Sequence, residues 1–251
     1  MKNNKEELKH LSDYYVLYID ILGAKNFINS DKSEMYLNCL YKLYNDTFLV
    51  IKLLNNNLIT KKDIKVKIFS DNIVVAIKKS NDIVKDIDQR LFLTYFSAYI
   101  QILAIKYEML TRGSIVIGKF YIDNDFVYGS ALTSAYNLEQ NIAIYPRIII
   151  DKDFLNIIEL HKVVPKYIYK DSSETVYINP FEAYLYVAQK YEHHELKIIH
   201  DVLSDRLNET KNVKHLQKIN WLINEFNDFC HKNNCIKYII QANNMELENA
   251  K

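Results

Sequence analysis

An α+β fold is what this sequence predicts: a ferredoxin-like βαββαβ palm extended by a further hairpin and by C-terminal helices. Three observations carry that expectation. Residues 14–20 (YYVLYID) form an apolar run of strand type that stops at one acid, Asp20, and is followed by Gly23 and a helical pattern. Residues 65–77 (KVKIFSDNIVVAI) read as two strands joined through the turn residues Ser70, Asp71 and Asn72. The order that results, strand, helix, strand, strand, helix, strand, is the split βαβ arrangement, whose antiparallel sheet carries helices on one face and leaves the other for a ligand or partner.

The elements follow in order. In the first strand Tyr14, Val16, Tyr18 and Asp20 share one face and Tyr15, Leu17 and Ile19 the other. A short helix is expected over 22–29, and a longer one capped by Ser30 or Asp31 and running to about residue 55. Met35, Leu37, Leu40, Leu43, Tyr44, Phe48 and Ile51 give it a roughly helical repeat. In the hairpin Val66 and Ile68 face one way, and Lys65, Lys67 and Phe69 the other. A helix starting at Ser80 or Asn81 and reaching about residue 110 comes next. A strand over 112–117 ends at Gly118, a small hairpin turns through 123–125, and a helix over 130–141 carries Leu132, Ala135, Tyr136, Leu138 and Glu139 in its repeat. Pro146 precedes a strand over 147–151. A second hairpin pairs 163–170 with 175–178. Helices over 181–190, 195–208 and 213–232 form a C-terminal extension, and 241–251 reads as a loose tail. The chain thus divides into a palm over 1–180 and a helical extension over 181–251 packed on it.

Composition excludes several classes. The 251 residues are 49% hydrophobic and 25% charged, enough for a real core. A net charge of +1 gives no bulk attraction to nucleic acid or membrane. Three cysteines, Cys39, Cys230 and Cys235, without CxxC spacing argue for free thiols in a reducing compartment. No apolar run approaches a membrane span, and the polar start is not a signal peptide, so a cytoplasmic protein is expected.

The candidate chemistry centres on Asp20 and Asp71. On a palm, the end of the first strand and the tip of the next hairpin are neighbours. Two carboxylates about 4 Å apart repel by roughly 4 kcal/mol at an effective dielectric near 20, which a cation between them relieves. Mg²⁺ suits such a pair, since it takes one or two carboxylates and completes its shell with phosphate oxygens and water. The competing reading makes Asp20 a helix cap and Asp71 a turn residue. Lys67 could contact a base or phosphate, or be a solvated edge lysine. Arg112 could clamp phosphate, or pair with Glu108 or another acid. Gly129 opens a helix N-terminus, or is a plain turn residue.

Taken in order, YIDILG, KIFSDNIVVAI, TRGSIVIG and YGSALTSAYNLE resemble the class III nucleotidyl cyclase catalytic domain over about residues 14–151. The resemblance implies Asp20, the Ile21 carbonyl and Asp71 as ligands of two Mg²⁺ or Mn²⁺ ions, and a nucleoside triphosphate seated near Gly23. It places Lys67 at the base-recognising lysine and Arg112 in the Arg-x-Gly strand. The family helix carries an Asn and, four residues on, an Arg; Thr133 and Asn137 stand there in this chain. That variant is similar to the bacterial pyrimidine cyclases of Pycsar antiphage defence, which implies UTP or CTP as substrate, cyclic UMP or cyclic CMP as product and a homodimer with composite sites. A purine cyclase, a nucleotide-joining palm enzyme, and a silent nucleotide- or RNA-binding domain stay open as alternatives.

Overall fold

A computed structural model describes residues 8–53, 59–60, 62–189 and 192–241. In chain order these form β1 (Ser12–Ile21), α1 (Ala24–Ile28), α2 (Ser33–Leu53), β2 (Ile64–Phe69), β3 (Asn72–Lys78), α3 (Ile83–Lys106), β4 (Thr111–Ile122) and β5 (Val127–Tyr128). Then come α4 (Ser130–Ile142), β6 (Ile148–Ile150), α5 (Lys152–Leu160), β7 (Ile168–Lys170), β8 (Val176–Ile178), α6 (Pro180–Ala188), α7 (His193–Glu209) and α8 (Val213–Lys232). A 3-10 turn (Ile236–Tyr238) follows, and the expected tail beyond residue 241 lies outside the described residues.

The strands form one 8-stranded sheet in the order β2-β3-β1-β4-β6-β8-β7, with β5 paired to the end of β4. Its first four members, β2-β3-β1-β4, are antiparallel throughout, which is the palm the sequence predicts. β6 joins β4 in parallel, and the β7–β8 hairpin extends the same sheet through β6. The α+β class holds.

Strand alternation sorts the core. Tyr15, Leu17, Ile19 and Ile21 of β1 pack with Ile73, Val75 and Ile77 of β3 against α2, α3 and α5. Val16 and Tyr18 face the other way, with Val74, Ala76, Val116 and Phe120, under Ala131 and Ala135 of α4. Here the expectation of a bare second face is corrected: α4 covers its centre, because small residues one turn apart let the helix lie close on β1 and β4. Behind the palm, Ile102 and Ile105 of α3 share a cluster with Phe181, Leu203, Leu222 and Phe226 of the C-terminal helices.

A buried cation ties β1 to its helices. Arg90 sits over the rings of Tyr15 (4.6 Å) and Phe154 (5.3 Å), donates to Asp86 at 3.3 Å and caps main-chain carbonyls of Asp153 and Phe154. The Tyr15 hydroxyl also bonds Asp86. Tyr15, Asp86 and Arg90 bond one another and the α5 main chain, so β1 is held rigidly behind the position where Asp20 emerges.

Several boundaries differ from expectation. α3 starts after Asp82, whose carboxylate accepts from the Lys85 N–H at 2.8 Å, so neither Ser80 nor Asn81 is the cap. β4 does not stop at Gly118; it runs on to Ile122, because β1 pairs with it as far as Phe120 and β5 pairs with Tyr121 and Ile122. The repeat in α2 is shifted: Tyr36, Leu43 and Thr47 are buried, while Met35 and Leu37 are exposed. Ile51 lies in the helix, its side chain outside the described residues. α5 was not anticipated at all. Among Cys39, Cys230 and Cys235 there is no disulfide.

Candidate active site

Register builds the site. Asp20 lies opposite Asn72 of β3 on one side and opposite Arg112 of β4 on the other. The β2–β3 turn is tight, with Ser70 at φ 56, and its Asp71 carbonyl accepts from the Ile21 N–H at 3.0 Å. That single backbone bond pins the hairpin tip to the end of β1, bringing Asp71 beside Asp20. The Tyr18 hydroxyl donates to Asn72 Oδ1, and Asn72 Nδ2 donates to Asp71 Oδ1 at 3.1 Å. A side-chain relay from the α4 face of the sheet thus orients Asp71.

β4 approaches β1 closely here because Gly113 has no side chain. A Cβ at that position would lie 2.2 Å from the Tyr18 carbonyl oxygen. The Gly113 N–H donates to the Arg147 carbonyl at 3.0 Å, and buried Gln101 caps the carbonyls of Thr111 and Pro146 at 3.3 Å each. Arg112 is therefore presented on a fixed strand.

Its guanidinium bridges two acids. Arg112 Nε donates to Asp20 Oδ2 at 3.2 Å and lies 2.5 Å from Oε1 of Glu139, which is fully buried on α4. Glu139 is also held by Gln140 Nε2 at 2.7 Å. Burial raises the Asp20 pKa; the Arg112 charge pulls it back, and Asp71 adds to the rise. Glu139 is likewise raised by burial, opposed by Arg112 and reinforced by Asp20. Lys218 of α8 stands near all three; burial and then the Arg112 charge lower its pKa. Tyr36 of α2 is pushed up by burial and then by Asp71 and Asp20, and its buried hydroxyl has no hydrogen-bond partner among the described residues. Asp20 and Glu139 thus share Arg112 near Lys218, and Asp71 beside Asp20 adds a third carboxylate to two cations.

The other sequence-derived residues spread around this centre. Gly23 (φ 80) is exposed and precedes the short α1. Lys67 is half-buried and donates from Nζ to the Asn124 carbonyl of the β4–β5 turn. Thr133 and Asn137 lie on the exposed side of α4, away from the Ala131, Ala135 and Glu139 stripe. Arg112 pairs with Asp20 and Glu139, not with Glu108. Sequence reasoning missed Glu139, Lys218 and Tyr36. An acid four residues after Ala135 on an apolar stripe was a usable signal for Glu139. Lys218 gave none, being far along the chain in an ordinary amphipathic helix.

As a metal site the donor set is restricted. Among the described residues no three His, Cys, Asp or Glu side chains converge on one point. Two carboxylates and main-chain carbonyls are hard oxygen donors, which fits Mg²⁺ or Mn²⁺ completed by phosphate and water, and does not fit a structural zinc.

No family model matches the sequence, and neither does any curated protein. Solved structures with a similar chain course include the catalytic core of a rhodopsin-guanylyl cyclase with converted specificity, in complex with ATPαS. It is 16% identical with a TM-score of 0.48, over 68% of this chain and 98% of that one. A monomeric guanylyl cyclase domain from Blastocladiella emersonii is 15% identical with a TM-score of 0.48, over 68% and 96%. An adenylate/guanylate cyclase/hydrolase from Silicibacter pomeroyi is 15% identical with a TM-score of 0.38, over 68% and 96%. At these values the likeness decides nothing about this chain, whose activity rests on its own residues.

Proposed function

We propose that the protein is a metal-dependent nucleotidyl cyclase that converts a pyrimidine nucleoside triphosphate, UTP or CTP, to its 3′,5′-cyclic monophosphate and pyrophosphate. The observation that carries this reading is the pinning of Asp71 beside Asp20 by the bond from the Ile21 N–H to the Asp71 carbonyl, at the open end of a palm. The order of YIDILG, KIFSDNIVVAI, TRGSIVIG and the α4 segment supports it at the level of sequence.

In this reading Asp20, the Ile21 carbonyl and Asp71 hold one or two Mg²⁺ or Mn²⁺ ions. A bound divalent cation supplies charge neutralisation at phosphate and lowers the pKa of a hydroxyl. The chain's own part is positioning. Tyr18 and Asn72 orient Asp71, and Arg112 orients Asp20 while balancing its charge. The ribose 3′-oxygen attacks the α-phosphorus in line, its proton passes to solvent, and the bond to the β-phosphate breaks with pyrophosphate leaving. Catalysis of this kind rests on orientation and preorganised charge. Lys67, at the edge of the sheet, is the residue for base contact.

Thr133 and Asn137 face outwards on α4, so they reach substrate only across an interface, which supports a homodimer with composite sites. The catalytic unit is residues 1–180, with 181–251 packed on it. A cyclic pyrimidine nucleotide made in a cytoplasmic setting fits a second messenger in antiphage defence. The test is incubation with each nucleoside triphosphate and Mn²⁺, with mass-spectrometric identification of the products. Cyclic UMP or cyclic CMP is expected, and a purine product from ATP or GTP alone would remove the pyrimidine assignment.

A further inference from the structure

The C-terminal helices carry groups that the reading above does not use. Between the β1–α1 turn and the α7–α8 pair lies a cavity of about 150 Å³, whose lining includes Gly23, Glu108, Arg206, Thr210, His215 and Lys218. At roughly 30 Å³ per water this is room for about five waters, the scale of a short phosphate chain. The cavity begins two residues beyond Asp20, at Leu22.

We propose that this cavity is a polyphosphate site, in which Lys218 of the helical extension ligates the phosphate chain of the nucleotide held at Asp20 and Asp71. The proposal rests on the nucleotide reading above and adds to it the groups that receive the β- and γ-phosphates.

Lys218 has the chemistry for it. The residue is half-buried, and among the described residues it has no ion pair or hydrogen bond. Its charged neighbours are Arg112, Asp20 and Glu139, and both of those acids already share Arg112. A desolvated cation beside a second cation is costly unless an anion joins them. The side chain is not there by looseness of the helix. Its neighbours Ile219, Leu222 and Ile223 are buried in the cluster with α3, α6 and α7, which fixes the face that Lys218 and His215 turn to the cavity.

Arg206 is positioned as well. It donates to the Glu108 carbonyl and lies 5.3 Å from the centre of the Phe27 ring, leaving further N–H groups for a ligand. Glu108 is the one carboxylate in the lining, against Arg206, Lys218 and a histidine. The sign of the cavity therefore favours an anion, next to a centre whose own surplus is negative and calls for a cation. A metal–polyphosphate complex answers both.

Calorimetric titration of the purified full chain with inorganic tripolyphosphate in metal-free buffer tests the site. Wild type is expected to bind. Lys218→Ala is expected to weaken binding at least about tenfold, and Lys218→Arg to stay within about threefold of wild type. Lys214→Ala, an exposed lysine one turn earlier, is expected to match wild type. Thermal melts of the same variants separate misfolding from loss of the anion; Lys218→Met is expected to melt no lower than wild type, since it removes an unpaired desolvated charge. Binding by Lys218→Ala within about twofold of wild type, or no binding by wild type at about millimolar tripolyphosphate, overturns the site. Turnover measured on the same preparations keeps the two readings apart. Cyclisation with Lys218-independent anion binding removes only the site; Lys218-dependent binding without cyclisation of any triphosphate removes only the nucleotide reading.

Discussion

Replacing Arg112 with methionine leaves Asp20 and Glu139 without the cation they share. Removing one partner from a buried charge group typically costs about 3–5 kcal/mol, and that loss is expected at pH 7 in urea denaturation. It is expected to shrink as the pH is lowered. Both acids have pKa values raised by burial. Such a group takes up its proton in the folded state before the unfolded chain does, so stability is gained as pH falls through the folded pKa. Asp20→Asn is the contrasting case. It leaves Arg112 paired with Glu139, so stability should stay within about 1 kcal/mol of wild type or rise. Mn²⁺ is expected to raise the melting temperature of wild type and to leave that of this variant unchanged. At this scale the two aspartates were legible in the sequence, because each acid interrupts or ends an apolar run. Lys218 was not, because its place beside Arg112, 106 residues away along the chain, leaves no local pattern, and Glu139 showed only as an acid on an apolar stripe.

The β7–β8 turn shows how far local chemistry carries an element. Asp171 accepts from Ser173 N and Oγ, Thr175 N and Arg147 Nη1 at 2.6 to 3.0 Å. Burial works against its charge, but the Ser173 and Arg147 bonds and the main-chain N–H groups outweigh it and lower its pKa to about 2. Asp171→Asn is therefore expected to lower the melting temperature at pH 7. The sign is opposite to that of Asp20: this contribution is full above the unfolded pKa near 3.8 and fades as pH falls towards 2. The difference between variant and wild type should close over that window. Turn residues made all three hairpins visible in the sequence, and the bounds of α8 match expectation because its apolar face is regular and Asn212 caps it. α5 escaped notice because nine residues between two strands carry too short a repeat, although Asp151 caps it. β4 owes its run through Gly118 to its pairing with β1, a tertiary fact. Gly113→Ala belongs here too: a methyl 2.2 Å from the Tyr18 carbonyl forces β1 and β4 apart, and a loss of about 3 kcal/mol is expected in denaturant unfolding.

Across the whole molecule, the palm order β2-β3-β1-β4 was readable from the succession of elements. Two larger features were not. The sheet continues through β6 to β8 and β7, and α4 lies on the face expected to be bare. Both depend on contacts distant in sequence, and small residues such as Ala131 and Ala135 give no sign of which surface they will meet. The result has a functional side. α4 brings Glu139 to Arg112, and the extension brings Lys218 to the same centre, so the site draws on β1, the β2–β3 turn, β4, α4 and α8 together. Product analysis of the purified full chain with UTP, CTP, ATP and GTP and Mn²⁺, run beside Asp20→Asn and Asp71→Asn, tests this account most directly. The expected result is a 3′,5′-cyclic pyrimidine nucleotide with equimolar pyrophosphate, lost in both variants while their folding is kept. No pyrophosphate from any of the four substrates, together with Mn²⁺ binding unchanged in both variants, would contradict it.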